Sequence, residues 1–279
     1  MNLKALRLDY GALVGTIPEA ICCLGALTEL DLRSNILSGS IPETIGCLSE
    51  LQYIDFSFTS FTGSLPTSLA YITTLQHMYL INSMFNGTLP LEFGCLSKLQ
   101  TLYLTSNQLS GSIPSNWATL SSLASWDMTA NALTGQIPEV FSNFANLGLF
   151  RMGTNLLSGS LPSTLGAATK LTYLSLAINQ ITGSVPAAWG GAVPLTYIDL
   201  SYNSIDGSIP SELSQLSNVL LFVVDTNMLS GNIEFLTHWP QCEFGVLNVN
   251  HFDGSIPNSI GCLTGLEIFS LAQNNLTGT

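Results

Sequence analysis

A glycine returns every 24 residues along this chain. Counted from Gly39, the column runs Gly63, Gly87, Gly111, Gly135, Gly159, Gly183, Gly207 and Gly231, with Gly15 one period earlier. Gly254 and Gly278 continue it after a single step of 23. The surrounding letters repeat as well: LSGSIP stands at 37–42 and 109–114, and LSGSLP at 157–162. About twelve copies fill the 279 residues, so the expected architecture is one solenoid over 1–279 in which each copy touches only its neighbours. A unit this small cannot bury an apolar face by itself; stacking buries it.

Each column has a physical duty. In the copy at 99–122, LQTLYLTSNQLSGSIPSNWATLSS, the segment 101–105 alternates and reads as a short strand with Leu102 and Leu104 inward. Thr101, Tyr103 and Thr105 then face outward. Leu99, Leu109, Ile113, Trp117 and Leu120 complete the apolar set. Asn107 recurs as Asn131, Asn155, Asn179, Asn203, Asn227, Asn250 and Asn274. A buried amide there is expected to satisfy backbone groups left bare where the chain turns off the strand, and stacked amides to bond one another. The glycine column marks positive φ or a close approach between rungs. Proline three residues later, as in Pro42, Pro114 and Pro162, fixes an extended segment followed by a turn. The hexamer is therefore structural punctuation. A phosphate loop would need a lysine that this motif never carries.

The pattern LxxLxxLxLxxNxLSGxIPxxLGxL is met as LTELDLRSNILSGSIPETIGCLSE at 27–50 and LTYLSLAINQITGSVPAAWGGAVP at 171–194. It resembles the plant-specific subclass of leucine-rich repeats, found in receptor-kinase ectodomains, polygalacturonase-inhibiting proteins and some protist surface proteins. The resemblance implies a leucine-rich repeat solenoid, curved or twisted as a right-handed superhelix. A parallel β-sheet would line its concave face, with 3-10 turns and short strands elsewhere. Such proteins carry cysteine-paired caps, and neither end of this chain shows one.

Charged residues make up only 9% of the chain, and 6 Lys+Arg against 18 Asp+Glu leave a net charge of −12. That balance excludes nucleic acid and anionic membrane surfaces, which need clustered cations. The longest apolar run, VLLFVV at 219–224, is far short of the ~18 residues a bilayer span takes, so no direct membrane insertion is expected. No signal peptide is recognisable at the start, MNLKALRLDY, which reads as the inside of a repeat.

Function must then lie on the exposed columns. Tyr53, Asp55, His77, Tyr79 and Tyr103 gather on the third to fifth rungs, and Tyr173 with Tyr197 on the eighth and ninth. Rungs lie about 4.8 Å apart, so these side chains adjoin. Tyrosines on an exposed sheet offer rigid, amphipathic contact area, and all seven residues are candidate ligand contacts. In the same columns Arg7 beside Asp31 and Asp127 beside Arg151 predict cross-strand ion pairs. No nucleophile elbow or oxyanion hole accompanies Asp55 and His77, so no catalytic residues are assigned. Glu29, Asp31 and Asp55 have the oxygen chemistry to hold Ca²⁺. His77, His238 and His251 lack metal-ligand spacing, and neither a metal site nor a cofactor is assigned.

Cys23, Cys47, Cys95 and Cys262 share a column where a small apolar filler suffices, and Cys23 and Cys47, on neighbouring rungs, are the one pair placed for a disulfide. Cys22 and Cys242 have no evident partner. Sequons at Asn86 and Asn275 are candidate glycosylation sites that fit an extracellular life. The rhythm breaks near 231–254, where Glu234 replaces proline, one residue is lost and Trp239 and Pro240 intrude. A tolerated irregular copy accounts for this better than a protrusion.

The expected function is non-enzymatic recognition of a protein, peptide or glycan on the concave or lateral face, at the cell surface or outside the cell. Two rivals come from other classes. An ice-binding protein would use the hydroxyl rows beside the glycines, such as Ser38 and Ser40, Ser110 and Ser112, Ser158 and Ser160. A structural rod would self-associate end to end through its uncapped rungs.

Overall fold

The computed structural model describes residues 2–191 and 194–278. They fall into two compact units, Met1–Thr134 and Gly135–Thr279. In the first, the strands Ala5–Arg7, Glu29–Asp31, Tyr53–Asp55, His77–Tyr79, Thr101–Tyr103 and Ser125–Asp127 pair in chain order as a parallel sheet. The register matches residues 24 apart, as in Tyr79↔Tyr103. In the second, Leu149–Arg151, Tyr173–Ser175, Tyr197–Asp199, Leu221–Val223, Phe244–Val246 and Ile268–Ser270 do the same, with the shortened step at Leu221↔Phe244.

Each unit has a second parallel sheet of short strands running through the glycine column, among them Ser60–Ser64 and Met84–Thr88 in the first and Gln180–Ser184 and Ser204–Ser208 in the second. Between this sheet and the next long strand the chain makes a 3-10 turn. Pro114, at φ −66° and ψ 128°, is the extended residue before the turn Ser115–Thr119, the duty assigned to that column. The core lies between the sheets and the turns: Leu99, Leu102, Leu104, Leu109, Ile113, Trp117 and Leu120 are all buried.

Gly111 has φ +75°, and a Cβ there would stand 2.9 Å from Cγ2 of Thr88 on the preceding rung, so both reasons for the column hold at once. A second left-handed column was invisible in the sequence because it is not glycine. The residue before each Asn-column position, including the β-branched Thr154, Ile178 and Val249, has φ between 51° and 58° in all twelve repeats. Left-handed backbone costs an L-residue roughly 1–2 kcal/mol, so surrounding bonds must hold it.

The amides supply those bonds, in a way that differs from the expected stacking of amide on amide. Asn203 donates from Nδ2 to the carbonyls of Leu200 on its own rung (3.1 Å) and Leu176 on the rung before (3.0 Å), while its Oδ1 accepts from Ile181 N (3.0 Å). Leu200 O in turn also accepts from Asn227 (3.0 Å). Each such carbonyl thus uses both lone pairs, one for its own rung and one for the next. Side chains bond each other where hydroxyls fill the column, at Thr59 and Ser83 (3.1 Å).

The irregular copy keeps the architecture. Glu234 begins the turn Glu234–His238 in place of proline, and the residue before it, Ile233, is no longer extended (φ −106°, ψ 20°). Trp239 is buried, donates from Nε1 to Leu213 O at 2.9 Å and packs against Phe222, so the intrusion fills core.

A carboxylate on one rung can also cap the turn of the next. Glu139 accepts from the backbone N–H groups of Ser163 and Thr164, both at 2.9 Å, and from the Thr164 hydroxyl at 2.8 Å. Desolvation pushes its pKa up, but the bonds from Thr164 and Ser163 outweigh that and hold it below the usual glutamate value. The sign follows: this stability is complete above the unfolded-state pKa of about 4.3 and disappears as pH falls through the lower folded value. Glu139→Gln should therefore cost stability at pH 7, at most ~1 kcal/mol because the group is exposed, and progressively less as pH falls through the lowered folded value. Urea unfolding of both proteins across pH 3–7 checks this; a difference independent of pH would refute it.

Candidate functional site on the outward sheet face

Strand alternation places the outward residues of the long strands on one face, and there the first unit brings Tyr53, His77, Tyr79 and Tyr103 together. Ring centroids are 5.5 Å apart for Tyr53 and Tyr79, 5.4 Å for Tyr79 and Tyr103, the latter edge to face, and 6.2 Å for Tyr53 and His77. All four are half-buried. His77 Nδ1 meets Thr101 Oγ1 at 3.1 Å, and burial lowers its pKa, which keeps the imidazole neutral near pH 7. Burial and then the carboxylate of Asp55 raise the Tyr53 phenol, so it too stays uncharged.

Asp55 sits with this group in sequence frame but is itself only 5% exposed. Its Oδ1 accepts from Ser57 N at 2.9 Å, its Oδ2 accepts from the Tyr53 hydroxyl at 3.4 Å, and Arg33 Nη1 lies 3.6 Å away. Asp31, Asp127 and Asp199 likewise accept from the N–H two residues on. An aspartate at the strand end thus closes a local turn, which the sequence reading missed. The alternative pairing of Asp55 with His77 is not the contact either one makes.

Arg33 was also overlooked, although it lies two residues past Asp31 and therefore on the same face. Its guanidinium is 3.5 Å from Asp9, 3.6 Å from Asp31 and 3.6 Å from Asp55, and sits 5.3 Å from the Tyr10 ring centroid. The carboxylates weighed for Ca²⁺ face this arginine, and Glu29 is held by Arg7 at 2.6 Å. Arg7 takes Glu29 in place of the expected Asp31 because the fork of a guanidinium matches a carboxylate that can rotate to meet it, and Asp31 is fixed by its turn. Among the described residues no group of three or more His, Cys, Asp or Glu is arranged to hold a metal ion.

In the second unit Tyr173 and Tyr197 stack at 3.9 Å with a 9° interplanar angle, and the Arg151 guanidinium lies 4.1 Å from the Tyr173 ring centroid. Cation and two rings form one ladder, with the cation–π contact unforeseen. The Tyr197 phenol is raised by burial and by its bond with Tyr173.

The disulfide joins Cys22 to Cys47, with Cα atoms 5.3 Å apart, and not Cys23 to Cys47. The reason is direction. Cys22 stands seven residues after Gly15, in the column where Gly46 would aim a Cβ at Ser68 O of the next rung, 2.7 Å away. Cys23, one residue on, is turned to solvent with a free thiol, as are Cys95 and Cys262. Cys242 is buried, its thiol pushed up to about 11. Asn86, on the short strand Met84–Thr88, and Asn275 are both exposed.

The leucine-rich repeat family model matches residues 26–48, 98–120 and 194–216, three copies of the same unit that fills the two sheets. The chain is a leucine-rich repeat protein. As such it is similar in structure to a TDR receptor, with 33% identity over 98% of this chain and 48% of that one and a TM-score of 0.94. The plant peptide hormone receptor RGFR1 in complex with RGF2 follows at 34%, 98% and 48%, with a TM-score of 0.91. A plant ice-binding protein is matched at 25% identity over 98% of this chain and 81% of that one, with a TM-score of 0.68. This leucine-rich repeat chain spans about half the length of the two receptors. No curated protein matches it in sequence. No helix among its described residues is long and apolar enough to cross a membrane.

Proposed function

We propose that this leucine-rich repeat chain is a non-enzymatic recognition scaffold, working outside the cell, that binds a peptide or protein on the outward face of its long-strand sheet. The observation that carries the reading is the run of half-buried, mutually packed rings at Tyr53, His77, Tyr79 and Tyr103. They are fixed before any ligand arrives, so little side-chain entropy remains to be lost on binding. Similarity to a plant peptide hormone receptor supports the class of ligand, and the exposed sequons Asn86 and Asn275 and the Cys22–Cys47 disulfide suit an oxidising compartment. A glycan is a further ligand class that such tyrosines suit.

The test is Tyr79→Ala with Tyr103→Ala. The loss of the edge-to-face pair and of the Tyr79 contact with Tyr53 should together cost about 1–3 kcal/mol of stability. Capture of ligand should weaken by ~2 kcal/mol or more, the scale of an interface hot spot. Identical binding by wild type and the double variant would remove this patch as the site.

A second reading has its own observation. On the short-strand sheet the residues on either side of the glycine column, such as Ser38 and Ser40, Thr62 and Ser64, Thr182 and Ser184, form exposed hydroxyl rows over most rungs, interrupted by Val14, Asn86, Gln136, Asp206, Asn232 and Asp253. Regular hydroxyl rows along a parallel sheet suit an ice surface, and the similarity to a plant ice-binding protein supports them. Thermal hysteresis in solution decides this: measurable hysteresis lost on Thr182→Lys favours it, and none rejects it.

A further inference from the structure

Charge is divided unevenly along the chain. Residues 171–279 contain none of its six Lys and Arg but eight of its eighteen Asp and Glu. The same stretch carries the most apolar part of the outward sheet face. Tyr197, Leu221, Phe244 and Ile268 stand opposite one another in successive strands, and Val223 and Val246 follow in the neighbouring column. All are half-buried except Ile268, which is 49% exposed. Continuing the outward columns past the lost residue brings Phe244, Val246 and Ile268 onto this face, which the interrupted period had hidden.

Two carboxylates border the patch. Asp199 precedes Val223 in its column and is held by the N–H and hydroxyl of Ser201 at 3.1 and 2.7 Å. Asp225 occupies, eight periods later, the column of Arg33, and accepts from the Thr226 hydroxyl at 3.3 Å. The first unit shows what such columns hold when complete: a guanidinium among Asp9, Asp31 and Asp55. Here the matching columns hold carboxylates and residues 171–279 supply no Lys or Arg; the cation that precedes Asp199 in its column, Arg151, stands two strands back with its guanidinium on the Tyr173 ring. Burial and the nearby Asp199 charge raise the Asp225 pKa, as expected for a half-buried carboxylate without a counter-ion.

We propose that the sheet face from Tyr197 to Ile268 docks an extended peptide bearing arginine or lysine among apolar residues, its cation seating beside Asp199 and Asp225. The inference rests on the recognition reading above and gives that ligand its chemistry. Alternate apolar side chains of an extended peptide lie on Leu221, Val223, Phe244 and Val246, and the cation takes the role Arg33 has in the first unit. Opposite charge across the interface fixes the peptide's position on an otherwise uniform apolar surface.

The probe is a displayed library of random twelve-residue peptides, selected on the immobilised full chain. Enriched sequences should carry Arg or Lys flanked by apolar residues. A synthetic enriched peptide should bind at least tenfold more weakly when its arginine is replaced by citrulline, which keeps the shape and removes the charge. Asp199→Asn with Asp225→Asn should weaken it as much, whereas Asp206→Asn, an exposed carboxylate on the short-strand sheet, should leave it unchanged. The citrulline comparison needs no protein variant, so it holds even if the double variant folds poorly. Enriched peptides that lack cations, or that lose nothing with citrulline, overturn the proposal. If those peptides still depend on Tyr79 and Tyr103, the recognition reading survives without it; if nothing is enriched, the proposal falls and the recognition reading rests on the Tyr79 and Tyr103 test alone.

Discussion

Gly166→Ala and Gly190→Ala should each destabilise the protein by about 3 kcal/mol, lowering Tm by roughly 6–9 °C, while Gly261→Ala leaves it unchanged. All three stand in one column, seven residues after the repeat glycine. Neither Gly166 nor Gly190 has positive φ, so the cost is not one of backbone conformation. It is steric: a Cβ on Gly166 would run into the carbonyl of Ala188, and one on Gly190 into the carbonyl of Glu212, each on the following rung. Backbone cannot move aside as a flexible side chain can, so the spacing of whole rungs must give. A Cβ on Gly261 meets nothing within 4 Å. The column does accept alanine where spacing allows, as at the buried Ala70. Thermal and urea melts of the three variants check the prediction, and equal effects at 190 and 261 would show that rung spacing is not what selects glycine.

Asn227→Ala should cost a similar ~3 kcal/mol. The amide is 8% exposed; its Oδ1 accepts from Ile205 N at 2.9 Å, and Nδ2 donates to Leu200 O at 3.0 Å and Val224 O at 3.1 Å. The two carbonyls keep a second donor, from Asn203 and Asn250, but the Ile205 N–H loses the side-chain acceptor that serves it. An unsatisfied buried N–H costs about 1–3 kcal/mol, and the two lost donations and the small void add to it. Asn227→Thr should fall between, because a hydroxyl in this column donates to the carbonyl of its own rung, as Thr59 does to Phe56 at 2.7 Å. Urea unfolding of both variants tests the order; equal losses for alanine and threonine would mean that burial alone, and not the bond pattern, sets the cost.

Much of the candidate site could be read before any coordinates. Alternation around Leu102 and Leu104 put Tyr103 outward, and the period carried Tyr79, His77 and Tyr53 to the same face, where their rings indeed touch. Asp55, a candidate ligand contact by its column, has a local role that the column did not reveal. Its side chain is short enough to fold back on the N–H of Ser57, and a pattern of outward and inward positions does not distinguish a side chain that reaches solvent from one that closes a turn.

The period, the inward columns, the left-handed glycine and the proline before most turns followed from the sequence alone, because each is a demand that one copy makes on its own backbone or core and that the copies repeat. What the tertiary structure decided is everything that depends on how one rung meets the next. It chose Cys22 over Cys23 for Cys47, since only the former points along the stack, and it gave Arg7 to Glu29 over Asp31, whose carboxylate accepts from the Arg33 N–H. It made the Asn column an interlocked ladder through backbone carbonyls, and it required glycine at Gly166 and Gly190 but not at Ala70. A repeat fixes which residues are neighbours; the spacing and side-chain directions between neighbouring rungs, fractions of a rung's width, arise only when the rungs pack.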